Sequence, residues 1–182
     1  MLSRDEQLRS ALKTAASALK GHGPQFALAG SYALWVYGGP EPVHDVDFVV
    51  ADTDTETAAT TLAKAGFVIE RTPEDWLFKA CVDDVVVDVL HQVNGVPVDE
   101  SLLDGAEEHD VLAIRIPVLT PTAVLIQKLR ALGEHHCDFA GLLPVVRAVR
   151  ERVDWGQLRA ATADNDFAVA FLVLADRLQI TR

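Results

Sequence analysis

The rhythm of apolar positions changes several times along this chain. Residues 3–20 place Leu8, Leu12, Ala15 and Leu19 three and four apart, the spacing of one helix face, and Gly21 ends the pattern. "QFALAG" (25–30) predicts a short buried strand, and Gly30-Ser31 then opens a helix, "SYALWVYG", that Gly38-Gly39-Pro40 stops. "VDFVVA" (46–51) predicts a second strand, followed by the helix "DTDTETAATTLAKAG" with Asp/Thr at its start and Gly at its end. "FVIER" is a short strand, and "WLFKACV" and "VVVDVLH" flank a hairpin turn at Asp83-Asp84. Residues 92–110 are expected to be loop-rich, with one strand, "VLAIRIPVL", after them. From "TP" at 120–121 the spacing becomes helical, giving helices near 121–132, 134–152, 155–163 and 165–180.

This order of elements predicts the α/β (α+β) class, with an α/β part over 1–118 and a helical part over 119–182. A length of 182 residues suits one ample domain, or a domain with a small appended bundle. Apolar runs stay far below the roughly 20 residues of a membrane span. The charged N-terminus, "MLSRDEQLRS", shows no secretory signal. Two cysteines, Cys81 and Cys137, are too few for a disulfide framework, so a reduced, cytoplasmic setting is expected.

The net charge of −11 is unevenly spread. Residues 111–182 carry nine basic against seven acidic side chains, a balance of +2, which leaves −13 for the remainder. Such a chain is a poor general polyanion binder, so contact with nucleic acid needs a local basic patch.

Against this background Asp45 and Asp47 stand out. Strand alternation points both to one face, while Val46 and Phe48 point to the other. Two carboxylates side by side repel each other unless a cation lies between them. Mg²⁺ takes oxygen ligands and is commonly held by one or two carboxylates plus substrate phosphates. Asp88 interrupts the apolar "VVVDVLH" and completes a three-acid cluster if its strand lies beside 45–51. Two metals held there would activate a hydroxyl and stabilise a pyrophosphate leaving group. The preceding Gly30 and Ser31 supply free backbone N–H groups at a helix start, with the Ser31 hydroxyl as a further donor to phosphate.

In order and context, Gly30-Ser31, Asp45-Val-Asp47 and Asp88 resemble the signature of the DNA polymerase β-like nucleotidyltransferase superfamily. The likeness covers residues 25–90 and implies a mixed sheet flanked by helices, with a C-terminal helical bundle. It also implies an Mg²⁺-dependent enzyme, with Mn²⁺ as an alternative metal, that moves an NMP from an NTP to an acceptor hydroxyl. The segment "VLTPTAVLIQKLRALGEHHCDFAGLLPV" is similar to bacterial AbiEii-type nucleotidyltransferases, which include toxins of type IV toxin–antitoxin pairs. That similarity assigns Lys128 and Asp138 to the nucleotide, Lys128 reaching the triphosphate as a flexible point charge. It also implies tRNA as acceptor and a cognate antitoxin as partner. One departure is that relatives often carry Arg or Lys shortly before the Asp-x-Asp, where this chain has "PEPVHD" with His44.

Competing readings accompany these residues. Lys79 either turns toward the cleft or is a solvated strand-edge lysine. Lys128 has an exposed-helix alternative, and Asp138 an N-cap one. Asp52 and Asp54 repeat the Asp-x-Asp pattern at the end of the strand, where N-cap chemistry accounts for them. Arg147, Arg150, Arg152 and Arg159 are candidate RNA contacts or simply a solvated helix face. Helical placement of His135, His136 and Cys137 makes them diverge, which argues against structural zinc. Trp35, Trp76 and Trp155 suit core or interface positions better than stacking platforms. The acceptor is alternatively a small molecule, such as an aminoglycoside- or lincosamide-like antibiotic, or a protein hydroxyl. A non-catalytic module that binds a nucleotide or a partner is the reading from a different class.

Overall fold

In the computed structural model, which describes residues 3–181, the valines of 85–90 lie near the middle of a seven-stranded mixed sheet. The chain divides into two compact units. The first runs through Tyr32 and resumes over Glu41–Leu119, and the second joins Ala33–Pro40 to the chain from Thr120 onward.

The first unit begins with α1 (Arg4–His22), whose N-terminus is closed by a capping box: Glu6 N donates to Ser3 Oγ, and Ser3 N donates to Glu6 Oε2. Then follow β1 (Phe26–Ala29), α2 (Gly30–Val36), β2 (Val46–Val50), α3 (Thr55–Lys64), β3 (Val68–Arg71), β4 (Leu77–Val82) and β5 (Val85–Leu90). A small hairpin, β6 (Gln92–Val93) and β7 (Val96–Pro97), precedes α4 (Glu100–Asp104), β8 (Glu107–Val111) and β9 (Ile114–Val118). The sheet order is β3-β4-β5-β2-β1-β9-β8. The pairs β2/β5 and β1/β9 are parallel, and the other neighbours are antiparallel.

Alternation along the central strands sorts their side chains. Val46, Phe48, Val87 and Val89 are fully buried, and α1, which packs on β2, β5 and β9, buries Leu8, Leu12 and Leu19. Val86, Asp88 and Leu90 fall on the opposite, half-buried face. Phe26 meets Phe48 edge to face at 5.7 Å.

The second unit holds α5 (Pro121–Arg130), α6 (Phe139–Val149), α7 (Trp155–Ala161) and α8 (Asp166–Arg177). Each starts on a side-chain cap, from Thr120, Asp138, Asp154 and Asn165 respectively. Its core gathers Val124, Leu125, Leu129, Leu158, Phe171 and Leu172. The expected α/β class with a mixed sheet flanked by helices is what the chain adopts.

Several local expectations need correction. The stretch 92–110 contains a hairpin, a short helix and the edge strand β8. "VLAIRIPVL" is not one strand, because Leu112 (φ 50°) and Ala113 (φ 66°) form the β8–β9 turn with apolar residues in the left-handed region. The predicted helix 134–152 starts only at Phe139, since Gly133 and His136 exchange backbone hydrogen bonds in a turn that contains His135. His135, His136 and Cys137 are therefore not helical. Trp76 is not buried; it is 42% exposed. Neither Asp52 nor Asp54 caps a helix with its carboxylate, and Asp52 instead meets the His91 ring at 2.6 Å.

Candidate metal centre

Asp47 lies on β2 and Asp88 on β5, and the parallel register sets them directly opposite each other. Asp45, one residue before β2, shares their face by alternation. Each of the three offers a carboxylate oxygen within 4.8 Å of the other two. The cross-strand row extends further: Lys79 on β4 stands opposite Asp88, and Glu70 on β3 opposite Lys79. Sheet register alone thus lines up an acid, a base and two more acids.

Asp88 is the most constrained of the three. Its side chain is only 13% exposed, and Oδ1 is buried without accepting a hydrogen bond. The Lys79 ammonium stands 3.7 Å from that oxygen, too far to donate. Burial pushes the Asp88 carboxyl above the usual range, Lys79 draws it down, and the Asp45 charge pushes it up again. An unsatisfied buried carboxylate oxygen is costly in itself. Beside two more carboxylates it suits a hard divalent cation, which takes oxygen donors and offsets their repulsion. The residues present therefore fit Mg²⁺ or Mn²⁺, held by Asp45, Asp47 and Asp88.

Gly30 follows β1, where Ala29 pairs with Asp47. Its φ of +57° is disfavoured for any residue with a side chain. A Cβ at this position would also run into the Asp47 carboxylate, lying 2.7 Å from its Cγ. Glycine here leaves the space that the carboxylate occupies. Ser31, in the first turn of α2, is next in the chain and half-buried.

The structure thus brings Gly30, Asp45, Asp47, Lys79 and Asp88 together, with Ser31 beside Gly30 in the chain. Lys79 is the row's cation. Lys128 and Asp138 belong to the second unit. Lys128 is half-buried in the last turn of α5, while Asp138 caps α6 by accepting from Gly141 N at 2.8 Å. Among the candidate RNA contacts, Arg150 pairs with Glu151 and Arg159 with Asp176. Arg147 and Arg152 are exposed.

Sequence reasoning did not single out Arg4, Arg9 or Glu41. Arg9 grips Glu41, and Arg4 donates to the carbonyls of His44 and Asp84. These contacts span 32 to 80 residues, so no local pattern announces them. Arg4 thus reaches from α1 to the carbonyl of His44, the residue before Asp45.

Residues 8–162 match the model of a family described as nucleotidyl transferase of unknown function (DUF2204). No curated protein matches the sequence. Solved structures that share the fold include the following three. A structure described as a nucleotidyltransferase from Thermotoga maritima is 20% identical, with a TM-score of 0.55, over 71% of this chain and 86% of its own. The antibiotic-resistance factor ANT(2″)-Ia is 12% identical, with a TM-score of 0.65, over 96% of this chain and 98% of its own. The lincomycin-bound lincosamide antibiotic adenylyltransferase LnuA is 14% identical, with a TM-score of 0.55, over 84% and 97%. Among the described residues no helix is long and apolar enough to cross a membrane.

Proposed function

The chain belongs to the nucleotidyl transferase family whose model spans residues 8–162, and on that premise we propose that it moves an NMP from an NTP to an acceptor hydroxyl at the Asp45/Asp47/Asp88 centre. The observation that carries this reading is the convergence of three carboxylates, one with a buried, unsatisfied oxygen, beside a glycine where a side chain would strain the backbone and crowd the Asp47 carboxylate. Asp45, Asp47 and Asp88 would hold the divalent metal. Bound there, Mg²⁺ stabilises charge on the phosphates and eases ionisation of the acceptor hydroxyl.

The chain's own residues supply the rest. Asp88, whose carboxylate faces the same centre, takes the acceptor proton. The acceptor oxygen forms a bond to the α-phosphorus as the bond to the β-phosphate oxygen breaks, and pyrophosphate leaves. Gly30 and Ser31 offer donors to the phosphates, and the Lys79 ammonium offsets the charge that builds on the leaving group. Lys128 is a proposed triphosphate contact, and Asp138 a proposed contact of the nucleotide. A rise in KM for NTP in Lys128→Met, with kcat retained, supports the first. Full retention of both constants sinks it.

For the acceptor, a small-molecule hydroxyl is the favoured reading. It is supported by the near full-length likeness to two antibiotic-modifying proteins and by the −13 balance outside residues 111–182, which attracts a cationic acceptor. A tRNA acceptor, in a toxin neutralised by an antitoxin, is the second reading. The +2 balance of 111–182 and the exposed Arg147 and Arg152 favour it, whereas the ion pairs at Arg150 and Arg159 weigh against it. A purely binding module is disfavoured, because all three carboxylates are present and converge.

The test offers Mg²⁺ and each α-labelled NTP in turn with aminoglycosides, lincosamides, total tRNA and cell protein. Label in a small-molecule fraction supports the favoured acceptor, and label in tRNA replaces it with the second. No label in any fraction with any nucleotide overturns the enzyme reading.

A further inference from the structure

Two arginines of α1 hold the segments that deliver the carboxylates. Arg4 donates through Nη1 to the Asp84 carbonyl at 2.6 Å and through Nη2 to the His44 carbonyl at 3.1 Å. His44 immediately precedes Asp45, and Asp84 is the last residue before β5, which carries Asp88. One planar guanidinium therefore spans the starts of two parallel neighbouring strands. Five residues on, Arg9 engages Glu41 with both arms of its fork, Nε to Oε1 at 2.6 Å and Nη2 to Oε2 at 2.5 Å.

The segment from Glu41 to Asp45 has no helix or strand structure of its own, and sheet pairing of β2 with β5 begins only at Val46. Asp45 thus has a sheet anchor on one side only, at Val46, and on the other side depends on what fixes residues 41–44. Unfastened, three like charges within 4.8 Å would push this side of the centre outward.

We propose that Arg4 and Arg9 are positioning residues of the carboxylate centre, holding Asp45 and the start of β5 close enough for one divalent cation to be shared. This rests on the metal-binding reading above. Neither arginine needs to touch the metal or the substrate. The pair supports the centre one step further out than groups bonded directly to metal ligands, whose loss weakens metal binding about 10–100-fold, so an effect at the low end is expected.

The sign of the effect separates this role from plain electrostatics. Deleting a positive charge near an acidic site favours cation binding, so charge alone predicts tighter binding in Arg4→Ala. Loss of positioning predicts weaker binding. Mn²⁺ binding, read by electron paramagnetic resonance on the intact chain, decides between them without any turnover. Expected is a rise in Kd of about tenfold in Arg4→Ala, and a larger rise in Arg4→Ala/Arg9→Ala. Arg4→Lys, which keeps the charge but loses the fork, falls between the wild type and Arg4→Ala. Because Arg9 is a half-exposed surface side chain, melting temperatures are expected to change little. An unchanged or lowered Kd in both alanine variants overturns the inference while the wild type still binds Mn²⁺. Failure of the wild type to bind Mn²⁺ overturns the metal reading as well.

Discussion

Two Asp-x-Asp patterns bracket one strand, and the chain treats them oppositely. Asp45 and Asp47 stand at the start of β2, and Asp52 and Asp54 follow its end. At the first, a third carboxylate is added from the parallel strand, and one of its oxygens is left buried and without a hydrogen bond. At the second, the added group is His91, whose ring is buried and meets Asp52 at 2.6 Å. Backbone bonds from Asp52 N to Val98 O and from Val98 N to His91 O close that end. One end of the strand thus concentrates like charge, and the other disperses it. The same tripeptide pattern is part of a carboxylate cluster or of a clasp according to what the neighbouring strand brings to it.

The largest test of this contrast is in activity. Asp45→Asn or Asp47→Asn should lower transfer at least about a thousandfold, as expected when several kcal/mol of charge stabilisation are lost. Asp52→Asn and Asp54→Asn should keep activity within a few-fold of the wild type. Gly30→Ala comes next, because it demands both a left-handed backbone and the space filled by the Asp47 carboxylate. It should lose most activity, and chemical denaturation should show a loss above the roughly 1–2 kcal/mol of the backbone conformation alone. Gly66→Ala, also at positive φ but facing open space, isolates the backbone part.

Stability should separate the two ends by sign. Without metal, Asp88→Asn removes a buried, repelled charge, and the melting temperature should rise by about 2–4 °C per kcal/mol recovered. Asp52→Ala removes the side chain that meets His91, and the melting temperature should fall. Equal signs in calorimetry would erase the distinction. The smallest effect concerns Tyr32, fully buried in α2. Burial pushes its phenol up to about 12, the Glu41 carboxylate adds to this, and Arg9 opposes it. The raised value means the neutral form is favoured on folding. The associated stability is complete below the unfolded value near pH 10 and is lost as pH rises through about 12. Absorbance titration should therefore show Tyr32 ionising only near pH 12, and Tyr32→Phe should flatten the alkaline loss of stability.

What the sequence disclosed, and what it withheld, follows from the range of each interaction. Alternation and burial mark Asp45, Asp47 and Asp88 as acids without a local purpose, and Gly30 as a turn; those signals lie within a few residues of each group. The Asp83-Asp84 turn was legible for the same reason. The β8–β9 turn was not, because Leu112 and Ala113 carry none of the Gly or Asn that usually announces positive φ. The His91–Asp52 contact spans 39 residues and the Arg4–Asp84 contact 80, so they exist only once the sheet has assembled. Nothing local marks Arg4 and Arg9 on α1, whose bonds to Asp84, His44 and Glu41 form only in the folded chain.

The most direct test sets Asp47→Asn beside Asp52→Asn, in Mg²⁺-dependent release of pyrophosphate from NTP with an accepting substrate present. The account predicts release at near wild-type rate from Asp52→Asn and none above background from Asp47→Asn, with both variants folded. Equal release from the two variants would contradict it.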